Sequence, residues 1–156
     1  MKGKKMPKEK LMSILMADDD VDDCAMAEEA LAENHVANPF KKVRDGKELM
    51  DYLNHLGDWE SPGSSPRPCL ILLDLNMPKI DGREALKLIK ADEHLRRIPV
   101  VILTTSSADE DIVKSYDMGA NSFVTKPVTF EGLLKVIRTF KDYWLEIVEL
   151  PPGEEK

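Results

Sequence analysis

The sequence predicts an α/β fold in which a parallel β-sheet is covered by helices on both faces. Three observations predict it. Short apolar runs and amphipathic helical stretches alternate five times along the chain. The best of those runs are continuously apolar rather than alternating, the pattern of strands buried on both faces. The chain has 156 residues, 42% hydrophobic and 33% charged, which suits one domain with a real core.

Each element has its own reason. Leu11–Ala17 is an apolar run of strand length. Asp20–Glu33, rich in Ala, Met and Glu, is helical by propensity, with Asp20 read as its cap. Asn38–Val43 is a weak strand. Lys47–Leu56 places Leu49, Tyr52, Leu53 and Leu56 at i, i+3, i+4 and i+7, one apolar helical face. Gly57–Pro68 holds three prolines, two glycines and three serines and reads as a loop. Cys69–Leu73 is continuously apolar. Arg83–Asp92 is helical, with Ala85, Leu88 and Ile89 inward. Pro99–Leu103 is a further buried strand. Ala108–Met118 is a helix with a Ser107–Glu110 capping box, and Gly119 stands where a helix C-terminal glycine belongs. Asn121–Val124 is a short strand, and Thr129–Val148 is the last helix, stopped by Pro151-Pro152-Gly153. Right-handed crossovers leave few topologies for such a chain. The leading one is the flavodoxin-like (βα)5 arrangement, a five-stranded parallel sheet of order 2-1-3-4-5.

Composition narrows the function. Twenty-two Lys+Arg against 29 Asp+Glu give a net charge of −7, which disfavours nucleic acid as the main partner. Two distant cysteines, Cys24 and Cys69, fit a reducing cytoplasm rather than a disulfide framework. No apolar run is long enough to cross a bilayer, and residues 1–10 lack the apolar stretch of a secretory signal. That segment, with five lysines and one glutamate, is expected to be a mobile basic tail, followed by one domain over 11–148 and a short tail over 149–156.

In such a sheet, ligands bind outside the carboxyl ends of the strands, near the switch point between strands 1 and 3. The residues that follow the strands therefore matter most. Asp18, Asp19 and Asp20 follow the first strand. Asp74 and Asn76 follow the third, Thr104 the fourth, and Lys126 and Pro127 the fifth. Clustered carboxylates repel unless protonated or neutralised by a cation. A set of hard oxygens without His or Cys favours Mg²⁺ or another divalent cation of its kind over zinc. A lysine and a hydroxyl opposite would suit phosphoryl oxygens, and a positioned carboxylate can attack phosphorus. The pattern proposes aspartyl-phosphate chemistry.

Four segments carry a family resemblance: Ile14-Leu-Met-Ala-Asp-Asp19, Leu70-Ile-Leu-Leu-Asp-Leu-Asn-Met-Pro-Lys-Ile-Asp-Gly82, Pro99-Val-Val-Ile-Leu-Thr104 and Gly119-Ala-Asn-Ser-Phe-Val-Thr-Lys-Pro127. In this order and spacing they resemble the receiver domain of two-component response regulators, over about residues 11–148. The resemblance implies Asp74 as phosphoacceptor, and Asp18, Asp19, Asp74 and the Asn76 carbonyl around Mg²⁺. It further implies Thr104 as switch hydroxyl, Lys126 as the phosphoryl-pairing lysine, Phe123 as switch aromatic or core residue, and a cis bond before Pro127. The long 57–68 loop, Asp81-Gly-Arg-Glu84, Leu103-Thr-Thr-Ser106 and the ending Tyr143–Pro151 are similar to the phytochrome-associated single-domain regulators. A sensor histidine kinase of phytochrome type is the partner this implies, with output through an unknown protein or phosphotransfer protein.

Two other functions share part of this residue set. A haloacid-dehalogenase-like phosphatase would need an acid two residues past the nucleophile, where Asn76 stands. A receiver that serves only as a scaffold is at odds with the complete residue set. No enzyme-type catalytic set is proposed beyond the chain's own phosphorylation and dephosphorylation. Ser106 and Ser107 read as helix caps, and His35, His55 and His94 as solvent-facing. Thr105 is bulkier than the residue many receivers carry there, which would slow access to the phosphoryl group. In the last helix Leu133, Val136, Ile137, Phe140, Trp144 and Ile147 form the inward stripe. Leu134, Tyr143, Leu145 and Val148 lie off it, and with Leu150-Pro151 they suggest a homodimer surface.

Overall fold

The computed structural model describes residues 12–36, 38–61, 63–104, 117, 119–120, 122–125 and 129–140, with 104, 122–125 and 140 as backbone only. The chain builds β1 (Ser13–Ala17), α1 (Val21–Glu33), β2 (Phe40–Val43), α2 (Gly46–Asn54), a 3-10 turn (Gly57–Trp59), β3 (Pro68–Asp74), α3 (Gly82–Ala91), β4 (Val100–Thr104), β5 (Ser122–Thr125) and a C-terminal helix (Phe130–Phe140). The five strands pair in the order β2-β1-β3-β4-β5, every pair parallel, as the sequence predicts.

Strand side chains alternate between faces, so each continuously apolar strand feeds two cores. Leu15, Ala17, Ile71, Leu73, Val100 and Ile102 join α2 and α3 on one face. Ile14, Met16, Leu70, Leu72, Val101 and Leu103 join α1 and the C-terminal helix on the other. This explains why the central strands β1, β3 and β4 show no alternation in hydropathy: their described side chains are almost all buried on both faces, while β2 at the edge keeps Lys42 exposed.

Helix boundaries follow capping chemistry. The Asp20 carboxylate accepts from the Asp22 and Asp23 amides, Asp45 from Glu48 and Asp81 from Glu84, so each of α1, α2 and α3 starts behind an aspartate. The second helix ends at His55, which takes the left-handed conformation at φ 58°.

Four expectations are corrected. Leu56 lies beyond that left-handed turn and is exposed instead of extending the apolar face. Leu86, not Leu88, faces inward on α3; the buried face is Ala85, Leu86 and Ile89, and Leu88 sits on its flank, partly in water. Leu134 packs partly buried against the second core cluster rather than standing clear of it. The 57–68 segment is more ordered than a plain polar loop. Ser65 is fully buried, its hydroxyl donating to the Trp59 carbonyl at 2.9 Å, and Tyr52 Oη and Ser13 Oγ both reach the Pro66 carbonyl.

Several expectations lie outside the described residues. They are the tails over 1–10 and 149–156, the Ala108–Met118 helix apart from Asp117, with its Ser106, Ser107 and Glu110 caps, and Thr105. Lys126, Pro127 and the bond between them, together with Tyr143, Leu145 and Val148, also lie outside. No helix among the described residues is long and apolar enough to cross a membrane.

Candidate functional site

The carboxyl ends of β1 and β3 are neighbours in the sheet, with Ala17 paired to Leu73. The residues that follow each strand are therefore delivered to the same rim. Asp18, Asp19 and Asp74 converge there, each offering a carboxylate oxygen, and these oxygens all lie within 4.8 Å of one another. Asp18 and Asp74 are buried and Asp19 is exposed.

The two buried acids are oriented by the chain just downstream. Asp18 Oδ1 accepts from the Asp20 amide at 2.9 Å, and Asp74 Oδ1 accepts from the Asn76 amide at 3.1 Å. Both are local turns in which an aspartate bonds its own backbone two residues on. The Asp18 amide is anchored to the Val43 carbonyl of β2 at 3.0 Å. The Cys24 thiol reaches the Asp18 carbonyl at 3.8 Å. The Leu75 amide continues the β3–β4 pairing by donating to Leu103 at 3.1 Å. The site thus rests on main-chain bonds from the sheet itself.

Gly82 closes the loop that carries Asn76. Its amide donates to the Leu75 carbonyl at 2.9 Å. A Cβ at this position would overlap the Asp74 carbonyl oxygen and stand 2.5 Å from Leu75 Cα, so glycine is required by space.

The electrostatics favour a shared proton or a bound cation. At 4.8 Å and an effective dielectric near 20, the two buried carboxylates, Asp18 and Asp74, repel by about 3.5 kcal/mol, and pairs with the exposed Asp19 by less. The donor set is all oxygen, with no His or Cys in the cluster, which fits a hard divalent ion of the Mg²⁺ or Mn²⁺ kind. Three carboxylates leave part of a six-coordinate shell to waters or phosphate oxygens.

The other expected site residues are placed by backbone. Thr104 ends β4 opposite Thr125, one step past the Asp74–Leu103 pair, so it stands on the same rim as Asp74. Phe123 lies in β5 paired with Ile102. Asn76 is exposed beside Asp74, and Asp20 is the cap of α1, as read from the sequence. The histidines are exposed, and His55 Nδ1 lies 2.6 Å from Ser65 Oγ, far from the acidic rim in the fold. Sequence reasoning missed the role of Asp45 and Gly46 beside the β3–α3 loop. An Asp-Gly pair at a helix start was the available signal.

Comparison with known proteins gives a consistent result. The family of response regulator receiver domains matches residues 14–138. The response regulator Rcp1 of Synechocystis sp. is 41% identical over 138 residues, 88% of this chain and 92% of that protein. The solved structure of the phosphorylated cyanobacterial phytochrome response regulator RcpA superposes with a TM-score of 0.78 at 41% identity. It covers 90% of this chain and 99% of that one. The structure of the Mn²⁺-bound form of Rcp1 gives a TM-score of 0.76 with the same identity and coverage.

Proposed function

The chain belongs to the response regulator receiver family, and on that premise we propose that Asp74 is the phosphoacceptor of a two-component phosphorelay. The convergence of Asp18, Asp19 and Asp74 at the ends of β1 and β3 is the observation that carries this reading. In the step, an Asp74 carboxylate oxygen attacks the phosphorus of a phosphohistidine. The O–P bond forms as the P–N bond breaks, and the electron pair returns to the imidazole.

The chain's own residues prepare this step. The Asn76 amide on Oδ1 fixes the rotation of the Asp74 carboxylate. Burial of Asp74 limits competing water. Asp18, Asp19, Asp74 and the Asn76 carbonyl would hold the divalent cation, Mg²⁺ by preference. When bound, it supplies the positive charge that lets a carboxylate approach a phosphoryl group. We assign the switch hydroxyl to Thr104, the phosphoryl-pairing ammonium to Lys126 and the switch aromatic to Phe123, with a cis bond before Pro127. These positions match the family's motif residue by residue.

The donor is a sensor histidine kinase of phytochrome type, a reading supported by the cyanobacterial phytochrome regulator among the similar structures. We place the protein in the cytoplasm, with chemistry limited to its own phosphorylation and dephosphorylation. Output passes through altered protein contacts or onward phosphotransfer, and a homodimer through the C-terminal helix and the residues after it is one such contact.

The test is an intact-mass measurement after incubation with Mg²⁺ and acetyl phosphate. One phosphoryl group is expected, absent from Asp74→Asn and from a chelated sample. An adduct that persists in Asp74→Asn refutes the assignment.

A further inference from the structure

We propose that Gly46, with Asp45 beside it, is a positioning residue for the acceptor loop 75–81, and through that loop for the cation-binding carbonyl of Asn76. This rests on the reading of the Asp74 site given above.

The base of the loop is closed by main-chain bonds at Leu75 and Gly82. Its far end is held by a different element. The first turn of α2 packs so tightly on Ile80 that a Cβ on Gly46 would overlap the Ile80 carbonyl oxygen. It would stand 2.6 Å from the carbonyl carbon and 2.7 Å from Ile80 Cβ. Gly46 is not among the glycines with positive φ, so its backbone is one any L-residue could adopt. Helix propensity by itself would favour alanine there by up to about 1 kcal/mol. Space, not conformation, selects glycine at this position.

Two features beside the contact agree. Asp45 caps α2 by accepting from the Glu48 amide at 2.8 Å, which sets where the helix starts. Its other oxygen lies 3.6 Å from Lys79 Nζ. That lysine is largely exposed, so the ion pair adds little energy. Lys79 itself sits at φ 66°, a left-handed conformation that a residue with a Cβ adopts at a cost. The loop is therefore bent sharply next to the point where α2 presses on it.

The contact is backbone on backbone. A methyl at Gly46 cannot be relieved by a rotamer change, and Ile80 must move. With Leu75 and Gly82 tied, that movement passes into 76–79, where the Asn76 carbonyl lies.

The experiment uses the full chain. Mg²⁺ affinity is measured by calorimetry, and stability by urea unfolding of the chelated protein, for wild type, Gly46→Ala, Lys79→Gly and the double variant. Gly46→Ala is expected to weaken Mg²⁺ binding by about tenfold or more, in the range known for residues that support metal ligands. Lys79→Gly removes the conformational cost, so it should weaken binding less while its unfolding midpoint holds or rises. In the double variant the freer loop accommodates the methyl, and affinity returns to that of Lys79→Gly alone. Gly46→Ala with a lowered unfolding midpoint but wild-type Mg²⁺ affinity overturns the proposal, because that is what a merely structural glycine would give. If Gly46→Ala does not fold, Lys79→Gly decides: unchanged affinity overturns the proposal, and weakened affinity with intact stability supports it. Wild-type protein with no saturable Mg²⁺ binding refutes the Asp74 site itself, an outcome distinct from wild-type binding that survives in Gly46→Ala.

Discussion

Replacing Asp19 by asparagine should stabilise the metal-free protein and remove its response to Mg²⁺. Asp19 is exposed, and its carboxylate oxygen lies within 4.8 Å of those of both Asp18 and Asp74. At that distance each like-charge pair costs about 3.5 kcal/mol at an effective dielectric of 20 and about 0.9 kcal/mol in bulk water. An exposed group belongs near the lower figure. Removing two such pairs should yield roughly 1–2 kcal/mol at low salt, or about 2–8 °C in Tm for a domain of this size. The gain should shrink in about 1 M salt, where the Debye length falls to about 3 Å. Mg²⁺ at about 100 times its Kd should stabilise the wild type by about 2.7 kcal/mol. The asparagine variant forgoes most of that, so the order of stability reverses between chelator and Mg²⁺. Urea or thermal unfolding in the two conditions reads both effects. A metal-free Asp19→Asn no more stable than wild type, or equal stabilisation of both proteins by Mg²⁺, would refute the reasoning.

Three further outcomes are expected. Tyr52 is fully buried, and burial pushes its phenol up to about 12, against the opposing hydrogen bond with Ser13 at 2.8 Å. A raised folded value means the stability it contributes is present below its unfolded value, near 10, and is lost as pH climbs towards the folded one. Tyr52→Phe should therefore be less stable by about 1 kcal/mol at pH 7 and overtake wild type between about pH 10.5 and 11, as followed by urea unfolding on tryptophan fluorescence. Parallel pH profiles for the two proteins would contradict this. Asp20→Ala should cost about 1 kcal/mol through loss of the α1 cap yet change Mg²⁺ affinity far less than Asp19→Asn, by calorimetry, since the Asp20 amide still bonds Asp18. Leu72→Ala, fully buried in the centre of β3, should cost about 2–5 kcal/mol in urea unfolding while Asp74 still takes up phosphoryl from acetyl phosphate in the protein that remains folded.

Much of this architecture can be read along the chain because its physics is local or periodic. Continuous apolar runs mark strands buried on both sides, and Asp20 marks where the first helix begins, whereas the caps at Asp45 and Asp81 came only with the structure. The acidic residues at the ends of β1 and β3 are likewise legible, since the doubly wound topology fixes which strand ends are neighbours. The inward choice of Leu86 over Leu88 is not legible, because they are leucines one position and three from Ala85 and only the docking angle of α3 separates them. The exposure of Leu56 depends on a left-handed residue at His55, a conformation uncommon for any non-glycine residue even though histidine is among those that adopt it more often.

The class of chemistry is written in the order of residues along the chain. Acids that follow the first and third buried strands, whose ends the doubly wound topology makes neighbours, point to an oxygen-lined acidic cluster suited to a hard cation. Tertiary structure alone decided the environment of that site. It buried Asp18 and Asp74, left Asp19 in water and set Gly46 against Ile80, and at the other end of the sheet it brought Ser13 and Tyr52 onto the Pro66 carbonyl. Those outcomes depend on contacts between residues tens of positions apart. They follow from the close packing of whole elements, which no local pattern of residues encodes.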